Sequence, residues 1–429
     1  MLKPFVILLS ILLVQAQSET TDSPYKIDSA DYMQASPAWL SHIELPKNVV
    51  RGYPKEEEVF PAPLPKKRFN IDLSSYPDLL KQPPVDHPEV QAVINQLDFT
   101  KIPASEPRKI KEWAVDISTY DAKKDPDCWW SASNCKKPKV SYIPEDIYMC
   151  PQKGHWGLNY DDGPYTYWWP ANEKDKEYDQ PRFYNYLIEH KRQKATLFFV
   201  GSNVVKFPDA AQRALNDGHT ICLHTWSHPQ MTTLTNEEVV AQLYWTQKAI
   251  KEVLGITPKC WRAPYGDVDD RVRAIAWQMG MRTILWDQDS FDWNLYVQPG
   301  KGHLKAEEID SYFENWIQKR INNNDTEHGH ITLQHENSNA TISMSERWLP
   351  KIQEHFTVLP IHHCIDDSQP YWEEQWVYPT LKDPNPPTFS LGHGRNAIND
   401  EVVSSSAPFV SPYRCISLAI IAFVISYLS

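Results

Sequence analysis

Glycine and positive charge are both scarce in this sequence. The chain has 14 glycines against 35 prolines in 429 residues, a balance that indicates long extended segments. Acidic residues outnumber lysine and arginine by 55 to 43, and no basic block is present, so the chain lacks the charge pattern of a protein that binds nucleic-acid phosphates. Its 41% apolar and 12% aromatic residues are enough to build a core, which excludes a disordered chain.

Long apolar runs are missing except at the two ends. The C-terminal run, 415–428, is shorter than the roughly 20 residues that span a bilayer, and no basic anchor follows it. Small residues, a spacer and this tail match a GPI-attachment signal over residues 406–429, with attachment at Ser404 or Ser405. An ordinary C-terminal membrane helix is the alternative.

The first 16 residues have the pattern of a signal peptide. A basic residue precedes the apolar run 5–14, and we expect cleavage after Ala16. The chain is therefore predicted to be secreted and GPI-anchored, at the cell membrane or in the cell wall of a eukaryote. In that compartment Asn324 and Asn339, each in an Asn-x-Thr sequon, are predicted glycosylation sites.

Seven cysteines are present, of which Cys415 lies in the removable tail. The six others suggest disulfides in an oxidising compartment, where about 15 pairings are open. The expected pairs are a local loop, Cys128–Cys135, and a clasp across the main domain, Cys150–Cys364. The remaining Cys222 and Cys260 could equally form a local disulfide or be buried thiols on core strands.

Three regions follow from changes in the sequence pattern. Residues 17–149 are rich in proline and charge and predict an extension, an arm that either wraps the main domain or spaces it from its surroundings. Residues 150–365 alternate short apolar runs with amphipathic helices. Residues 366–405 turn acidic, aromatic and then proline-rich, which is typical of a linker.

The alternation within 150–365 predicts an α/β fold with a parallel sheet covered by helices, and its closure into a barrel. In such barrels the chemistry collects at the carboxyl ends of the strands. The predicted strands lie at 156–160, 195–200, 220–223, 259–262, 282–286, 330–334 and 356–359. The predicted helices lie at 208–215, 268–279, 307–321 and 343–355, with another between its cap Thr235 and its stop Gly255.

Two adjacent aspartates, Asp161 and Asp162, follow the first strand and precede a Gly-Pro turn. Such carboxylates repel each other unless a cation sits on one and the other has a separate task, although a solvated turn would use the same residues. His224 and His228 lie four residues apart past another strand, a spacing that suits chelation but also occurs without a metal. With Asp162 they form the ligand set of a catalytic zinc site, which would also accept cobalt, nickel or iron.

Five motifs in a fixed order carry a resemblance to a known family. They are Asp161-Asp162-Gly163-Pro164, His224-x-x-x-His228-Pro229, Arg262-Ala-Pro-Tyr265-Gly266, Asp289-Ser-Phe-Asp292-Trp293 and Leu333-Gln-His335. The sequence resembles the polysaccharide deacetylases of carbohydrate esterase family four, with their NodB homology domain, and among them most closely the fungal chitin deacetylases. The resemblance implies a distorted (β/α) barrel and a metal-dependent hydrolysis of N-acetyl groups.

The resemblance implies a role for each matching position. Asp162, His224 and His228 would bind one divalent metal, with zinc expected and cobalt as the alternative. Asp161 would be the general base that takes a proton from the attacking water. His335 would protonate the leaving amine, because an imidazole titrates near neutrality.

Other matching positions would support these groups. Arg262 would hold the base ionised, and Asp292 would orient the acid, although each could also form an ordinary ion pair. The N–H of Tyr265 would stabilise the oxyanion. Trp293 and Leu333 would line the pocket for the acetyl methyl, or serve core packing alone.

The expected substrate is chitin or its N-acetylglucosamine oligomers, hydrolysed by a monomer to chitosan and acetate in the remodelling of a fungal wall. The aromatic insert Tyr165, Tyr167, Trp168 and Trp169 would stack on sugar rings, unless some of its members pack in the core. An acetylated xylan is the alternative polymer. The alternative class is a protein of the same fold that binds chitin but has no catalytic activity. That alternative is disfavoured because the sequence keeps every residue to which the resemblance gives a catalytic or metal-binding role.

Two departures from the family pattern bear on substrate fit. Asn159-Tyr160 stands where the family often has Thr-Phe, and Glu336 follows His335 where aspartate is common. Neither change touches a position that carries a catalytic role.

Overall fold

The computed structural model describes residues 36–47, 49–64, 69–166, 180–296 and 302–390. The predicted signal peptide and GPI signal lie outside these residues, as do Tyr167, Trp168 and Trp169 of the aromatic insert. Across the described ranges, no helix combines the length and the apolar character that crossing a membrane requires.

The strands form a small hairpin and one large sheet. The hairpin consists of β1 (Ile110–Lys111) and β2 (Ala114–Val115). The sheet strands are β3 (Met149–Cys150), β4 (His155–Asp161), β5 (Thr196–Phe199), β6 (Thr220–Leu223), β7 (Cys260–Trp261), β8 (Arg282–Thr283), β9 (Gln288–Asp289), β10 (Gly329–Leu333) and β11 (Thr357–Pro360). Their order is β3-β10-β4-β5-β6-β7-β8, with β11 paired to β4 and β9 to β10. Every pairing is parallel except that of β3 with β10.

Helices cover the outside of this sheet. They are α1 (Pro88–Ile94), α2 (Trp130–Ser133), α3 (Gln180–Glu189), α4 (Gly201–Lys206), α5 (Pro208–Asn216), α6 (Asn236–Leu254), α7 (Asp270–Gln278), α8 (Ala306–Ile321), α9 (Asn339–His355) and α10 (Ile361–Cys364). Helix α6 begins at the predicted capping box of Thr235 and Glu238 and ends at Gly255, whose φ of +73° suits glycine. Helix α9 begins four residues before the predicted start because Ser338 caps it, accepting from the N–H of Thr341.

The two edges of the sheet approach each other. Ile147, just before β3, forms a parallel bridge with Ile284, just beyond β8, while β3 pairs with β10 at the other edge. The sheet therefore curls into a distorted barrel, and the predicted fold class is confirmed. Buried side chains fill the interior of the barrel: Ile147, Cys150, Phe198, Cys222, Cys260, Ile284, Ile331, Ile361, Cys364 and Ile365.

Three disulfides join the six cysteines of the described chain. Cys128–Cys135 and Cys150–Cys364 are the pairs expected from the sequence. The third, Cys222–Cys260, decides between the two alternatives left open for these cysteines. Cys222 lies on β6 and Cys260 on β7, and these neighbouring strands bring the two side chains together inside the barrel.

The described part of the N-terminal extension wraps the barrel. Val90 and Val93 of α1 are fully buried in the same apolar core as α6. The indole N–H of Trp39 donates to the side chain of Gln247 on α6 at 3.1 Å. Of the two roles predicted for this region, the wrapping arm is the one that the contacts support. This packing could not be predicted from the proline-rich sequence, because the spacing of the buried residues follows neither the period of a helix nor that of a strand.

The prediction that residues 366–405 form a linker is wrong for their first part, residues 366–390. Tyr371, Trp376 and Tyr378 are buried in the main core, and the hydroxyl of Tyr371 accepts from the N–H of Ile221 on β6 at 2.8 Å. Residues 366–390 therefore pack on the domain. Their aromatic residues contact segments distant in sequence, and such contacts leave no local period that a sequence pattern would reveal.

Candidate active site

The predicted site residues meet at the carboxyl ends of the parallel strands. β4 ends at Asp161, His224 and Arg262 directly follow β6 and β7, and His335 lies two residues beyond the end of β10. The N–H of Asp161 donates to the carbonyl oxygen of Gln334 at 3.0 Å, and a parallel bridge joins Asp161 to His335. The backbone thus holds the expected base and the expected acid side by side.

Asp162 has a left-handed backbone conformation. Its φ is +79°, which is unusual for a residue with a side chain, and its carbonyl oxygen accepts from the amide of Asn203 at 2.9 Å. Its buried Oδ1 has no hydrogen-bond partner in the described chain and lies 3.2 Å from Nε2 of His228 and 3.5 Å from Nε2 of His224. The other oxygen, Oδ2, accepts from the side chain of Asn337. The left-handed backbone therefore directs one oxygen at two imidazoles.

The two histidines direct their Nε2 atoms at that oxygen. Nδ1 of His224 lies 2.9 Å from the carbonyl oxygen of Arg262, which can only accept, so His224 donates from Nδ1 and its Nε2 is free to bind a cation. His228 has a φ of +59°, and its N–H donates to the hydroxyl of Thr225 at 3.1 Å. Ligands about 2.0–2.1 Å from a tetrahedral zinc lie about 3.3 Å apart, close to the two separations above. The three side chains therefore fit a divalent cation.

The electrostatic surroundings of Asp162 favour its ionised form. Burial opposes its ionisation, but the imidazoles of His228 and His224 hold the pKa of Asp162 well below its usual range. The carboxylate is thus available as a negatively charged ligand.

Arg262 holds the side chain of Asp161 in place. The guanidinium is fully buried and donates from Nη1 to Oδ1 of Asp161 at 2.7 Å and to Oδ1 of Asn159 at 2.6 Å. Its other donors reach the carbonyl oxygens of Ile284 and Leu285. Burial lowers the pKa of Arg262, although Asp161 opposes that change, and a guanidinium remains charged. Oδ2 of Asp161 lies 3.6 Å from Nε2 of His224, so this oxygen faces the cation site.

Asp292 holds His335 by two hydrogen bonds. Its Oδ1 lies 2.7 Å from Nδ1 of His335, and its Oδ2 accepts from the backbone N–H of the same residue at 2.8 Å. Burial disfavours the imidazolium, but Asp292, followed by Asp162 and Asp161, raises the pKa of His335 to about 10. His335 is therefore protonated at neutral pH. A cation beside Asp162 would offset part of the effect of that carboxylate.

Tyr265, Trp293 and Leu333 surround this centre to different degrees. Tyr265 has a φ of +59°, its ring lies 4.7 Å from that of His228, and within the described residues its N–H donates to no protein acceptor. Tyr265 and Trp293 are 59% and 47% exposed, whereas Leu333 is 5% exposed. The two aromatic residues thus lie on an open rim, and Leu333 belongs to the wall.

Four residues of the site were missed or undervalued at the level of sequence. Asn337 and Asn203, which bond Asp162, lie outside every motif and carried no signal. Asn159, noted only as a departure, donates to the carbonyl oxygens of Gly157 and Thr332 and accepts from Arg262, so it supports the arginine. The other departure, Glu336, is fully buried against Gly163, where any Cβ would approach its Oε1 to 2.1 Å. A side chain at position 163 would therefore displace the carboxylate of Glu336.

Comparison with known proteins finds deacetylases of polysaccharides. The sequence model of the family described as "Polysaccharide deacetylase" matches residues 149–284. The chain is 42% identical over 292 residues to a "Chitin deacetylase" of Amylomyces rouxii, covering 67% of this chain but 65% of that protein. It is 30% identical to "Chitin deacetylase 2" of Saccharomyces cerevisiae, covering 65% of this chain and 76% of the yeast protein.

A solved structure of the chitin deacetylase from Colletotrichum lindemuthianum is also similar. It is 24% identical, with a TM-score of 0.44, over 53% of this chain and 95% of that one. The matched part of this chain thus spans just under two thirds of the length of its Amylomyces relative, and nearly all of the shorter Colletotrichum chain.

Proposed function

Because the chain belongs to the polysaccharide deacetylase family, we propose that it is a metal-dependent chitin deacetylase. It would hydrolyse the N-acetyl groups of β-1,4-linked N-acetylglucosamine polymers, releasing acetate and leaving chitosan. One observation supports this most directly: a buried, unbonded carboxylate oxygen of Asp162 faces two imidazole nitrogens. The names of the relatives support chitin as the polymer.

Asp162, His224 and His228 would hold the metal, which we propose to be zinc because two imidazoles and one carboxylate suit it. When bound, the cation would supply Lewis acidity, which makes a water more acidic and polarises the acetamide carbonyl. The hydrogen bond from His224 to the carbonyl oxygen of Arg262 would keep its ring in the ligating tautomer.

Asp161 would act as the general base. Arg262 occupies Oδ1 of Asp161, so only Oδ2 is free to accept the proton of an attacking water. Because the guanidinium is buried and donates to four protein oxygens, it holds the carboxylate in a fixed position. This division of the two oxygens orients the base toward the cation site.

His335 would donate the proton that the leaving amine requires. Its Nδ1 is bonded to Asp292, so Nε2 is the nitrogen that would face the substrate. The free N–H of Tyr265 would donate to the oxyanion that forms on the acetyl carbon. Trp293 and Leu333 would bound the space for the acetyl group, with Trp293 toward the open side.

We also propose that the protein is a secreted monomer, GPI-anchored at the cell surface or wall through a signal over residues 406–429. Glycosylation is proposed at Asn324, which is exposed in the turn after α8. Asn339 is half-buried in the first turn of α9, so we expect it to be the less accessible sequon.

The test is acetate release from N-acetylglucosamine oligomers by the purified full-length chain, before chelation, after chelation and after zinc restoration. Asp161→Asn serves as the matched variant, because Asp161 is proposed as the base and not as a ligand. We expect release that zinc restores in the wild type, and an Asn variant that binds zinc but releases no acetate.

Acetylated xylan is assayed beside the oligomers. If acetate comes from xylan alone, the proposed polymer is wrong. If the protein binds chitin but releases no acetate with any divalent metal, the enzyme proposal fails and a chitin-binding wall protein replaces it.

A further inference from the structure

Part of the N-terminal extension is built into the rim of the proposed active site. The backbone N–H of Arg108 donates to the carbonyl oxygen of Thr232 at 2.8 Å. Thr232 lies four residues beyond His228, in the loop between β6 and α6. The guanidinium of Arg108 bonds Asp127, lies 3.6 Å from Asp269 and stacks 4.6 Å above the ring of Trp129. This part of the extension is therefore fastened to a loop that carries a proposed metal ligand.

A second proposed catalytic loop is tied to the same segment. Asp267, fully buried two residues beyond Tyr265, accepts at Oδ1 from the indole N–H of Trp129 at 2.9 Å and from the hydroxyl of Ser131 at 2.7 Å. Its Oδ2 accepts from both the N–H and the hydroxyl of Thr232. One carboxylate thus joins the extension to the loops after β6 and β7.

The hairpin β1–β2 follows Arg108 and ends in a two-residue turn, Glu112-Trp113. Glu112 has a φ of +60°. The carbonyl oxygen of Trp113 accepts from the side-chain amide of Gln230 at 3.1 Å. Because Gln230 is only two residues beyond His228, the tip of the hairpin lies beside the loop that carries this ligand. The turn is held through the backbone of Trp113, which leaves the indole of this residue free for another partner.

The indole of Trp113 is 77% exposed, more than any other large apolar side chain of the described residues, and no aromatic ring or cation of those residues packs on it. An exposed indole on a fastened turn keeps a large apolar face in water. Tyr265, 59% exposed, contacts the same loop through the ring of His228. Two exposed aromatic side chains, one from the extension and one from the barrel, therefore lie next to residues of the loop of His228.

We propose that Trp113 forms an outlying sugar subsite, in which its indole stacks on an N-acetylglucosamine unit beyond the unit that reacts. This inference rests on the proposed function, whose polymeric substrate must extend past the reaction centre. A pyranose ring has an apolar face and polar edges, which an indole with a free face can bind without desolvating a charge. The subsite would select for chain length and not for the chemical step.

The test compares Trp113→Ala and Trp113→Phe with the wild type on a series of N-acetylglucosamine oligomers. For the longest oligomers we expect Trp113→Ala to raise KM roughly tenfold, the loss of one stacked ring, with kcat kept. The increase should shrink as the oligomer shortens to the minimum that is deacetylated. Trp113→Phe should recover most of the affinity, because it keeps an aromatic face.

Phe60→Ala is the matched control, since Phe60 is an exposed aromatic residue of the same extension but lies near Arg192, beyond the far end of α3. It should leave KM unchanged at every length. An equal loss on short and long oligomers, or no change for Trp113→Ala, would overturn the subsite. If the wild type releases no acetate at all, oligomer binding by calorimetry still decides the subsite, because wild type and Trp113→Ala are compared without turnover.

Discussion

Among the residues that the structure describes, two clusters that combine aspartate with histidine differ in what joins their atoms. The metal cluster, Asp162, His224 and His228, has nitrogen–oxygen separations of 3.2 and 3.5 Å around a buried oxygen of Asp162. The ion-pair cluster, Asp287, Asp325 and His330, has separations of 2.5 and 2.8 Å, each a hydrogen-bond distance. The same residue types therefore form two different arrangements.

The difference lies in how the imidazole nitrogens are used. In the metal cluster a carbonyl oxygen occupies Nδ1 of His224, so Nε2 carries a lone pair toward Asp162. In the ion-pair cluster, carboxylates occupy both nitrogens of His330, which leaves no lone pair for a cation. Burial alone lowers the pKa of His330, but Asp287 and Asp325 outweigh it and raise that pKa. Composition alone would not separate the clusters; the direction of the lone pairs does.

Removing one carboxylate from each cluster should give the largest contrast. We expect Asp162→Asn to abolish zinc binding and to lower acetate release by about 10³-fold, because the cation contributes several kcal/mol to the transition state. Asp287→Asn should keep both zinc binding and activity. Calorimetric zinc titration and acetate release measure the two effects, and a loss of zinc in Asp287→Asn would show that the second cluster also binds metal.

Asp292→Asn should produce the next largest change, and it tests whether the carboxylate sets the pKa of His335. The proposed acid must be protonated, so activity should fall as the pH rises through the pKa of His335. Because Asp292 raises that pKa, its removal should move the alkaline limb of the pH–rate profile to lower pH and reduce kcat at alkaline pH by roughly 10–100-fold. Zinc affinity is the control and should be kept. An unmoved alkaline limb would contradict this assignment.

Asn337→Ala tests the support of the metal cluster without removing a ligand. Its amide donates to the second oxygen of Asp162, so the variant should weaken zinc binding by roughly 10–100-fold while saturating zinc restores most of the activity. Asn322→Ala, at the exposed C-terminal end of α8 and outside any sequon, is the control and should not change zinc affinity. If activity is lost even at saturating zinc, Asn337 contacts the substrate and does more than hold Asp162.

The site was easier to predict than the parts that surround it, for a physical reason. Asp161 is the last residue of β4, His224 directly follows β6, and His335 lies two residues beyond β10, so the local sequence, together with the convergence of parallel strands, brings them to one edge. Asp267 and Tyr371 work through partners that are distant in sequence, so no spacing marks them. The packing of the extension and of 366–390 therefore became visible only in three dimensions.

The same limit applies to the two clusters. The sequence placed His224 and His228 four residues apart, a spacing that suggests chelation, but His330 and its two aspartates share no such spacing. Even for the metal cluster, the tautomer of His224 depends on the carbonyl oxygen of Arg262, and that oxygen reaches the ring only when β6 and β7 are paired.

His330→Gln should have the smallest effect, on stability and not on activity. The pair of carboxylates raises the pKa of His330 above its unfolded value of about 6.5, so the charged form is favoured in the folded chain. Its contribution is therefore complete below that unfolded pKa and is lost as the pH rises through the folded pKa. Urea unfolding should show that the free energy of unfolding of the variant is about 1–2 kcal/mol below that of the wild type at pH 6. This difference should shrink toward pH 9.

His328→Gln tests whether the stability depends on the ion pair of His330 or only on an imidazole in the same segment of the chain. Nδ1 of His328 lies 2.7 Å from the carbonyl oxygen of the adjacent Gly329 and 3.9 Å from Asp287, so it is not held between carboxylates. This variant should lose less stability than His330→Gln at pH 6. If both variants instead lose zinc-dependent acetate release, the hydrogen-bond distances around His330 are a poor guide, and the contrast between the clusters fails.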